Sequence, residues 1–253
     1  MDEKSRRREM SSHNKDTTQK QEKIVSMFDN IAPTYDRANR VMSMGVDKSW
    51  RKKACDLAFG YANKDALDRI VDVACGTGDM MQFWKLRAQR AGISVGDIVG
   101  VDPSVGMLDV ARVKLPKFVY HVSKATEIPL DDESADILSI TYGIRNVVER
   151  EAALEEFHRV LKKDGLVVIL EFMKNENPSF LGRVRDFYMN RVLPKVGGFI
   201  SKNLEAYEYL PNSIEDFSTV QNLQEELRGA GFEILYTKSF SMDISTLIIA
   251  KKL

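Results

Sequence analysis

The chain has 253 residues, with 37 Lys and Arg against 37 Asp and Glu, and is 43 % hydrophobic. At ~100–200 residues per domain this is one large domain or a core with an insertion, big enough to need no disulfide or metal staple. The two cysteines, Cys55 and Cys75, exclude a secreted disulfide scaffold and point to a reducing, cytoplasmic setting. The balanced charge argues against nucleic acid as a partner, and no apolar run approaches the ~18 residues of a membrane span.

Residues 1–22 contain almost no large apolar side chains, so they cannot offset the entropy of ordering and are expected to form a disordered tail. Arg6, Arg7 and Arg8 are diluted by Asp2, Glu3 and Glu9 and read as solvated. No apolar core of a secretory signal is present, and the acids disfavour a transit peptide.

From residue 69 strand-like and helix-like segments alternate. Ile70 to Ala74 reads as a buried strand ending in Gly76-Thr77-Gly78, Asp79 to Arg90 as a helix, and Asp97 to Asp102 as a second strand. Ser104 is placed to cap a helix from Val105 to Lys114. Strands are expected at Lys117 to Ser123 and Ala135 to Tyr142, then a helix at Glu151 to Leu161. Lys163-Asp164-Gly165 reads as a turn before a strand from Leu166 to Phe172. After an interruption at residues 173–218, a helix from Val220 to Ala230 stops at Gly231, and Phe232 to Phe240 pairs with Ser245 to Lys251 as a hairpin. β-branched strands without polar alternation, joined by helices, predict a doubly wound, mostly parallel seven-stranded sheet with an antiparallel edge. Such α/β sheets bind ligands beyond the carboxyl ends of their strands, here the loops after Ala74, Val101, Val122 and Tyr142.

Gly76 and Gly78 allow close backbone approach to a ligand and unusual φ angles. A dinucleotide fingerprint would want glycine where Met81 stands, and a phosphate-binding loop would want lysine near Asp79. Asp79 at the helix start would repel a pyrophosphate. A phosphate-free, positively charged ligand fits better, and S-adenosyl-L-methionine has a sulfonium, an ammonium and a ribose diol. Asp102 is placed to accept both ribose hydroxyls, the alternative being a turn residue before Pro103. Asp72, inside the first strand, must be paired or must order the glycine loop. These features point to a Rossmann-like, class I S-adenosylmethionine-dependent methyltransferase core.

Three segments sharpen this reading: Phe28 to Gly45 leading to Trp50-Arg51; the Gly76-Thr77-Gly78-Asp79 loop; and Tyr142-Gly143-Ile144-Arg145-Asn146-Val147 with His158 to Lys162 and Leu170-Glu171-Phe172. With them the chain resembles the ubiquinone/menaquinone biosynthesis C-methyltransferase family across residues 24–252. The resemblance implies methyl transfer to a ring carbon of a polyprenylated quinol, with cofactor contacts at Thr77, Asp102, Lys124, Ala125 and Thr141. It also implies that the Phe28 to Met44 segment, within a helical stretch at 23–60, closes as a lid carrying Tyr35 over the cofactor. Three departures stand out. Ala74 replaces a common glycine, a change small enough to be harmless; Lys163-Asp164-Gly165 replaces a Lys-Pro-Gly turn; and Lys124 sits where an acceptor for the adenine amino group is usual, so only its backbone can serve.

Carbon methylation needs an electron-rich ring carbon, and a cation can favour the phenolate that makes it so. Arg145 is the catalytic candidate for that role, against a salt bridge that holds its loop; Asn146 supports it, and His158, mid-helix, reads as structural. No spaced His, Cys and Asp set suggests a metal. Residues 173–218 are the expected substrate-side insertion. Within them an apolar stripe from Phe180 to Phe199, interleaved with Arg183, Arg185, Arg191 and Lys195, reads as core packing or as an entrance touching a membrane periphery. Methylation of another lipid or aromatic acceptor, or a cofactor-binding scaffold among other quinone-biosynthesis enzymes, are the competing readings.

Overall fold

The computed structural model describes residues 3–174, 191, 198, 203–241 and 243–253. Seven strands form one sheet: β1 (Ala66–Val73), β2 (Ser94–Asp102), β3 (Val119–Val122), β4 (Ala135–Thr141), β5 (Leu161–Glu171), β6 (Phe232–Phe240) and β7 (Ser245–Lys252). Their spatial order is β3-β2-β1-β4-β5-β7-β6. β1 to β5 pair in parallel, while β7 runs antiparallel to both β5 and β6. The reversed strand thus lies one place in from the edge, and the order turns back between β1 and β4.

The helices are α1 (Glu3–Met42), α2 (Asp47–Ala62), α3 (Asp79–Ala91), α4 (Val105–Lys114), α5 (Arg150–Val160), α6 (Leu204–Glu215) and α7 (Val220–Gly229), with a 3-10 turn at Ile144–Asn146. α2 and α3 cover one face of the sheet, through Trp50, Phe59, Met81 and Trp84 packed on Ile70, Ile98, Ile137 and Ile249. α5 and α7 cover the other, through Leu154, Phe157, Leu223 and Leu227 packed on Val71, Leu138, Val167 and Ile248. This two-sided burial is why the central strands show no polar alternation. Ser104 caps α4 as expected, its side chain accepting from the Met107 N–H.

α1 does not pack on the sheet. Its Ile31, Ala32, Ala38 and Met42 join Met107 of α4 and Ala206 of α6 in a separate small cluster beyond the carboxyl ends of the strands. The stretch expected to be a disordered tail, residues 1–22, is helical from Glu3. Its Glu, Lys, Arg and Gln residues are good helix formers that extend a helix nucleated further along, and the Gln21 side chain accepts from the Val148 N–H at 3.1 Å. A second difference lies at β5. It begins at Leu161, and Lys163-Asp164-Gly165 is an irregularity within the strand, where the pairing jumps from Ala135↔Leu161 to Ile137↔Leu166. The apolar stripe expected between Phe180 and Phe199 lies outside the described residues, which in that span are only Arg191 and Gly198.

Gly143, after β4, is a steric requirement. A Cβ there would lie 2.6 Å from Ala74 Cβ and 3.2 Å from Ile140 Cγ1. Gly143→Ala is expected to destabilise the protein by about 1–3 kcal/mol, the usual cost of overpacking, read as an earlier midpoint in denaturant unfolding.

Candidate active site

The loops after β1, β2 and β4 meet above the switch between β1 and β4. Ala74, Gly76 and Gly78 take φ of +50°, +54° and +80°, which swings the chain sharply out of β1. Glycine tolerates this and alanine does not, so Ala74 is less innocuous than its size suggests, at about 1–2 kcal/mol of backbone strain. Tyr142, ending β4, is also left-handed at φ +58°. Two strained residues at the ends of adjacent strands mark the site.

Asp102 organises these loops. Its Oδ2 accepts the Gly76 N–H at 2.8 Å and its Oδ1 accepts the Ser104 N–H at 2.8 Å. Burial raises its pKa to about 6, opposed by those two amides and assisted by nearby Asp29. Below the loop, Asp72 is buried on β1. Trp84 Nε1 donates to Ser139 Oγ at 2.9 Å, and Ser139 Oγ donates to Asp72 Oδ1 at 2.6 Å. Burial raises Asp72 to about 7, against the Ser139 hydrogen bond and the charge of Arg51.

A pocket opens over this floor. α1 supplies one wall through Gln21, Val25, Phe28 and Tyr35, which recur on one helical face. The opposite side is made by Asp102, Lys124, Ala125, Thr141, Asn146 and Val147. Polar bonds fasten α1 in place. Asp29 Oδ1 accepts from Ser104 Oγ at 2.6 Å and from the Gly106 N–H at 2.8 Å. Asp36 accepts from Thr77 Oγ1 at 2.5 Å and from Lys114 Nζ at 2.7 Å. Arg40 pairs with Asp79, which also accepts from Lys114 Nζ at 2.5 Å.

Among the expected cofactor residues, Tyr35, Gly76, Asp102, Lys124, Ala125 and Thr141 line the pocket. Asp72, Thr77 and Gly78 do not line it. Asp72 lies beneath the glycine loop, Thr77 gives its hydroxyl to Asp36, and Gly78 begins α3, where a Cβ would lie 3.0 Å from Leu115 Cδ1. Lys124 is exposed, and its carbonyl already accepts the Glu127 N–H at 3.2 Å.

Arg145 is engaged in a buried salt bridge. It is not among the described residues lining the pocket. Its Nη1 donates to Glu171 Oε1 at 2.6 Å and to the Tyr142 carbonyl at 2.8 Å, and Nε donates to Ser213 Oγ. Glu171 is fully buried; burial raises its pKa, and Arg145 and two backbone amides oppose the rise. A buried carboxylate in β5 requires such a partner, so the salt bridge is the arrangement the fold adopts. Arg145 Nη2 has no partner among the described residues. Beside it, Tyr209 of α6 donates to Asn146 Oδ1 at 3.0 Å. His158 lies edge-on to Phe232, away from the pocket.

Sequence reasoning missed Asp29, Asp36, Glu171 and Tyr209. Asp29, Asp36 and Arg40 fall on one face of a helix at spacings of seven and four, a signal that was present. Glu171, a charge inside an apolar strand, called for a cation.

The pocket suits a cofactor with a diol and further polar groups. Thr141 Oγ1 is buried and has no hydrogen-bond partner, a cost that a ligand at this wall removes. Each Asp102 oxygen keeps one acceptor site beyond its amide partner. A seven-stranded sheet in this order, with its cleft over the β1–β4 switch, is the architecture of class I S-adenosylmethionine-dependent methyltransferases. A Thermotoga maritima structure described as a SAM-dependent methyltransferase, possible histamine N-methyltransferase, shares this fold. It aligns with a TM-score of 0.60 and 22 % identity over 91 % of this chain and 100 % of its own. The model of the ubiE/COQ5 methyltransferase family matches residues 16–252, and the chain belongs to that family. It is 54 % identical to the ubiquinone/menaquinone biosynthesis C-methyltransferase UbiE of Campylobacter jejuni strain 81-176, over 93 % of this chain and 100 % of that one. It is 37 % identical to the demethylmenaquinone methyltransferase of Chlorobaculum parvum, over 93 % of this chain and 95 % of that one. The protein is a methyltransferase, and its cofactor is S-adenosylmethionine.

Because Asp72 and Asp102 titrate higher in the fold than the ordinary 3.8, these two groups hold more protons in the native state than in the unfolded chain between pH 4 and about 7. Their contribution to the stability of the ligand-free protein therefore falls as pH rises through that window and levels off above it. Asp72→Asn is expected to raise stability by about 2–4 kcal/mol at pH 8 and to change it little at pH 4, measured by urea unfolding at both values.

Proposed function

We propose that the enzyme methylates a ring carbon of a polyprenylated quinol, either demethylmenaquinol or the corresponding benzoquinol of ubiquinone biosynthesis. The observation that carries this reading is the match, along the whole length of the C. jejuni relative, to a protein named for that reaction. S-adenosylmethionine supplies the methyl group on its sulfonium. Asp102 and Thr141 would hold the cofactor's polar groups, with the Gly76 loop beneath it.

The α1 wall, with Val25, Phe28 and Tyr35, offers a largely apolar surface beside that floor, suited to a flat ring. Orientation of the ring carbon against the cofactor can supply up to ~7–11 kcal/mol of the barrier. We assign Arg145, clamped by Glu171 just behind the described pocket lining, the role of favouring the phenolate, with its Nη2 hydrogens as the group that would meet the acceptor's oxygen. In this reading α1 is the lid, opening by release of the Asp29 and Asp36 bonds. A polyprenylated acceptor resides in a bilayer, so the enzyme works at a membrane surface; among the described residues no helix is long and apolar enough to cross one.

Incubation of the protein with S-adenosylmethionine and each reduced, demethylated quinol should yield a product with one added ring methyl by mass spectrometry. Absence of product with both, despite stabilisation by S-adenosylhomocysteine, would refute the acceptor assignment. Arg145→Lys keeps the charge beside Glu171 but loses the planar fork. It is expected to lower kcat about 100- to 1000-fold while leaving the rise in Tm with S-adenosylhomocysteine intact.

A further inference from the structure

The turn joining α1 to α2 breaks two rules of a stable surface at one residue. Met44 takes a φ of +50°, where side chains other than those of glycine and asparagine are strained. It is also 79 % exposed, and Val41 and Val46 beside it are 48 % and 40 % exposed. The turn itself is well made: the Met44 N–H donates to the Val41 carbonyl at 3.2 Å and the Gly45 N–H to the Arg40 carbonyl at 3.1 Å. A methionine where both backbone and water disfavour it is not there for the stability of the isolated fold.

The unpaired charge along this stretch is of one sign. Arg37, Lys48, Lys52 and Lys53 are exposed, and none makes a side-chain hydrogen bond or ion pair among the described residues. Lys48 and Lys52, one turn apart, share an exposed edge of α2, and Lys53 lies about 100° further round, away from the helix's buried Ala54 and Ala58. The acids of this stretch are engaged elsewhere. Asp36 is paired with Lys114, buried Asp47 with Arg40 and the Ser43 hydroxyl, and Asp56 with Arg87. An apolar tip thus has unpaired cations on both of the helices that flank it, the pattern that binds a negatively charged lipid surface.

We propose that the α1–α2 turn docks on an anionic membrane, Val41, Met44 and Val46 entering the headgroup layer and Arg37, Lys48, Lys52 and Lys53 meeting lipid phosphates. The inference gains its purpose from the quinol reading, which puts the acceptor in the bilayer. Tyr35, on the pocket wall, lies about 10 Å along the helix from Met42 at the edge of the tip, so docking brings the pocket to the surface that holds the acceptor.

The test is co-sedimentation of the full chain with phosphatidylcholine vesicles, with and without about a quarter of phosphatidylglycerol. The wild type is expected to bind the anionic vesicles and release them in about 0.5 M salt. Met44→Asn removes the apolar contact and suits the left-handed backbone. It should lower partitioning about tenfold or more while leaving Tm unchanged or higher. The Lys48→Glu/Lys52→Glu double variant should lower partitioning to anionic vesicles about 25-fold or more. Both variants should retain stabilisation by S-adenosylhomocysteine and turnover of a short-chain, water-soluble quinol. Wild-type protein that ignores anionic vesicles, or variants that bind them as well as wild type, would overturn the proposal. So would a Met44→Asn change that converts a dimer to a monomer without altering vesicle binding, because the turn would then be a face for a second copy. Intact vesicle binding without methyl transfer to any quinol would uphold the docking surface and refute the acceptor reading alone.

Discussion

One buried carboxylate sets the geometry on which the site rests. Asp102 closes β2, and its two oxygens reach the glycine loop after β1 and the start of α4. Its own carbonyl accepts the Ser123 N–H at 3.2 Å, drawing in the loop after β3, and the neighbouring Val101 carbonyl accepts the Cys75 N–H at 3.2 Å. Burying a carboxylate is expensive unless such bonds are made, so the aspartate both requires and enforces this convergence. The left-handed path from Ala74 to Gly78 is stable because Gly76 has a fixed acceptor to point at.

The helix over the pocket is held differently. The sheet is enclosed by fully buried aliphatic and aromatic side chains on both faces, whereas α1 meets the body through a small cluster and a row of polar bonds from Asp29, Asp36 and Arg40. A single net hydrogen bond contributes only ~0.5–1.5 kcal/mol. Such a contact can be broken and remade without disturbing the core, which places α1 at the low-stability end of the molecule. Two neighbouring parts of one chain thus serve opposite needs, a rigid floor that fixes a cofactor and a wall that must admit it.

Much of the sheet was legible in the sequence, for a physical reason. Parallel strands buried on both faces are continuous β-branched runs, and Ile70 to Ala74 or Leu166 to Phe172 can hardly be read otherwise. Ser104 was legible because a cap is local chemistry. Non-local facts were not: that Thr77 turns toward Asp36, that Arg145 is absorbed by Glu171, and that Tyr209 reaches Asn146 depend on elements far apart in the chain. The tail failed for the opposite reason. Its composition shows that it cannot form a core, but not that a helix begun at the pocket extends back through it.

Pro33 gives α1 an internal division. Lacking an N–H, it cannot bond to the Asp29 carbonyl one turn earlier, so the helix is most compliant there. The point falls between the two anchoring aspartates, Asp29 on one side and Asp36 on the other. Mechanically α1 is two levers on a shared fulcrum: an outer arm bearing Gln21, Val25 and Phe28, and an inner arm bearing Tyr35, Asp36 and Arg40. The outer arm is tied down at Asp29 and, through Gln21, to the Val148 N–H, while the inner arm grips the glycine loop and carries the α1–α2 turn, so bending at Pro33 strains neither set of bonds on the other side.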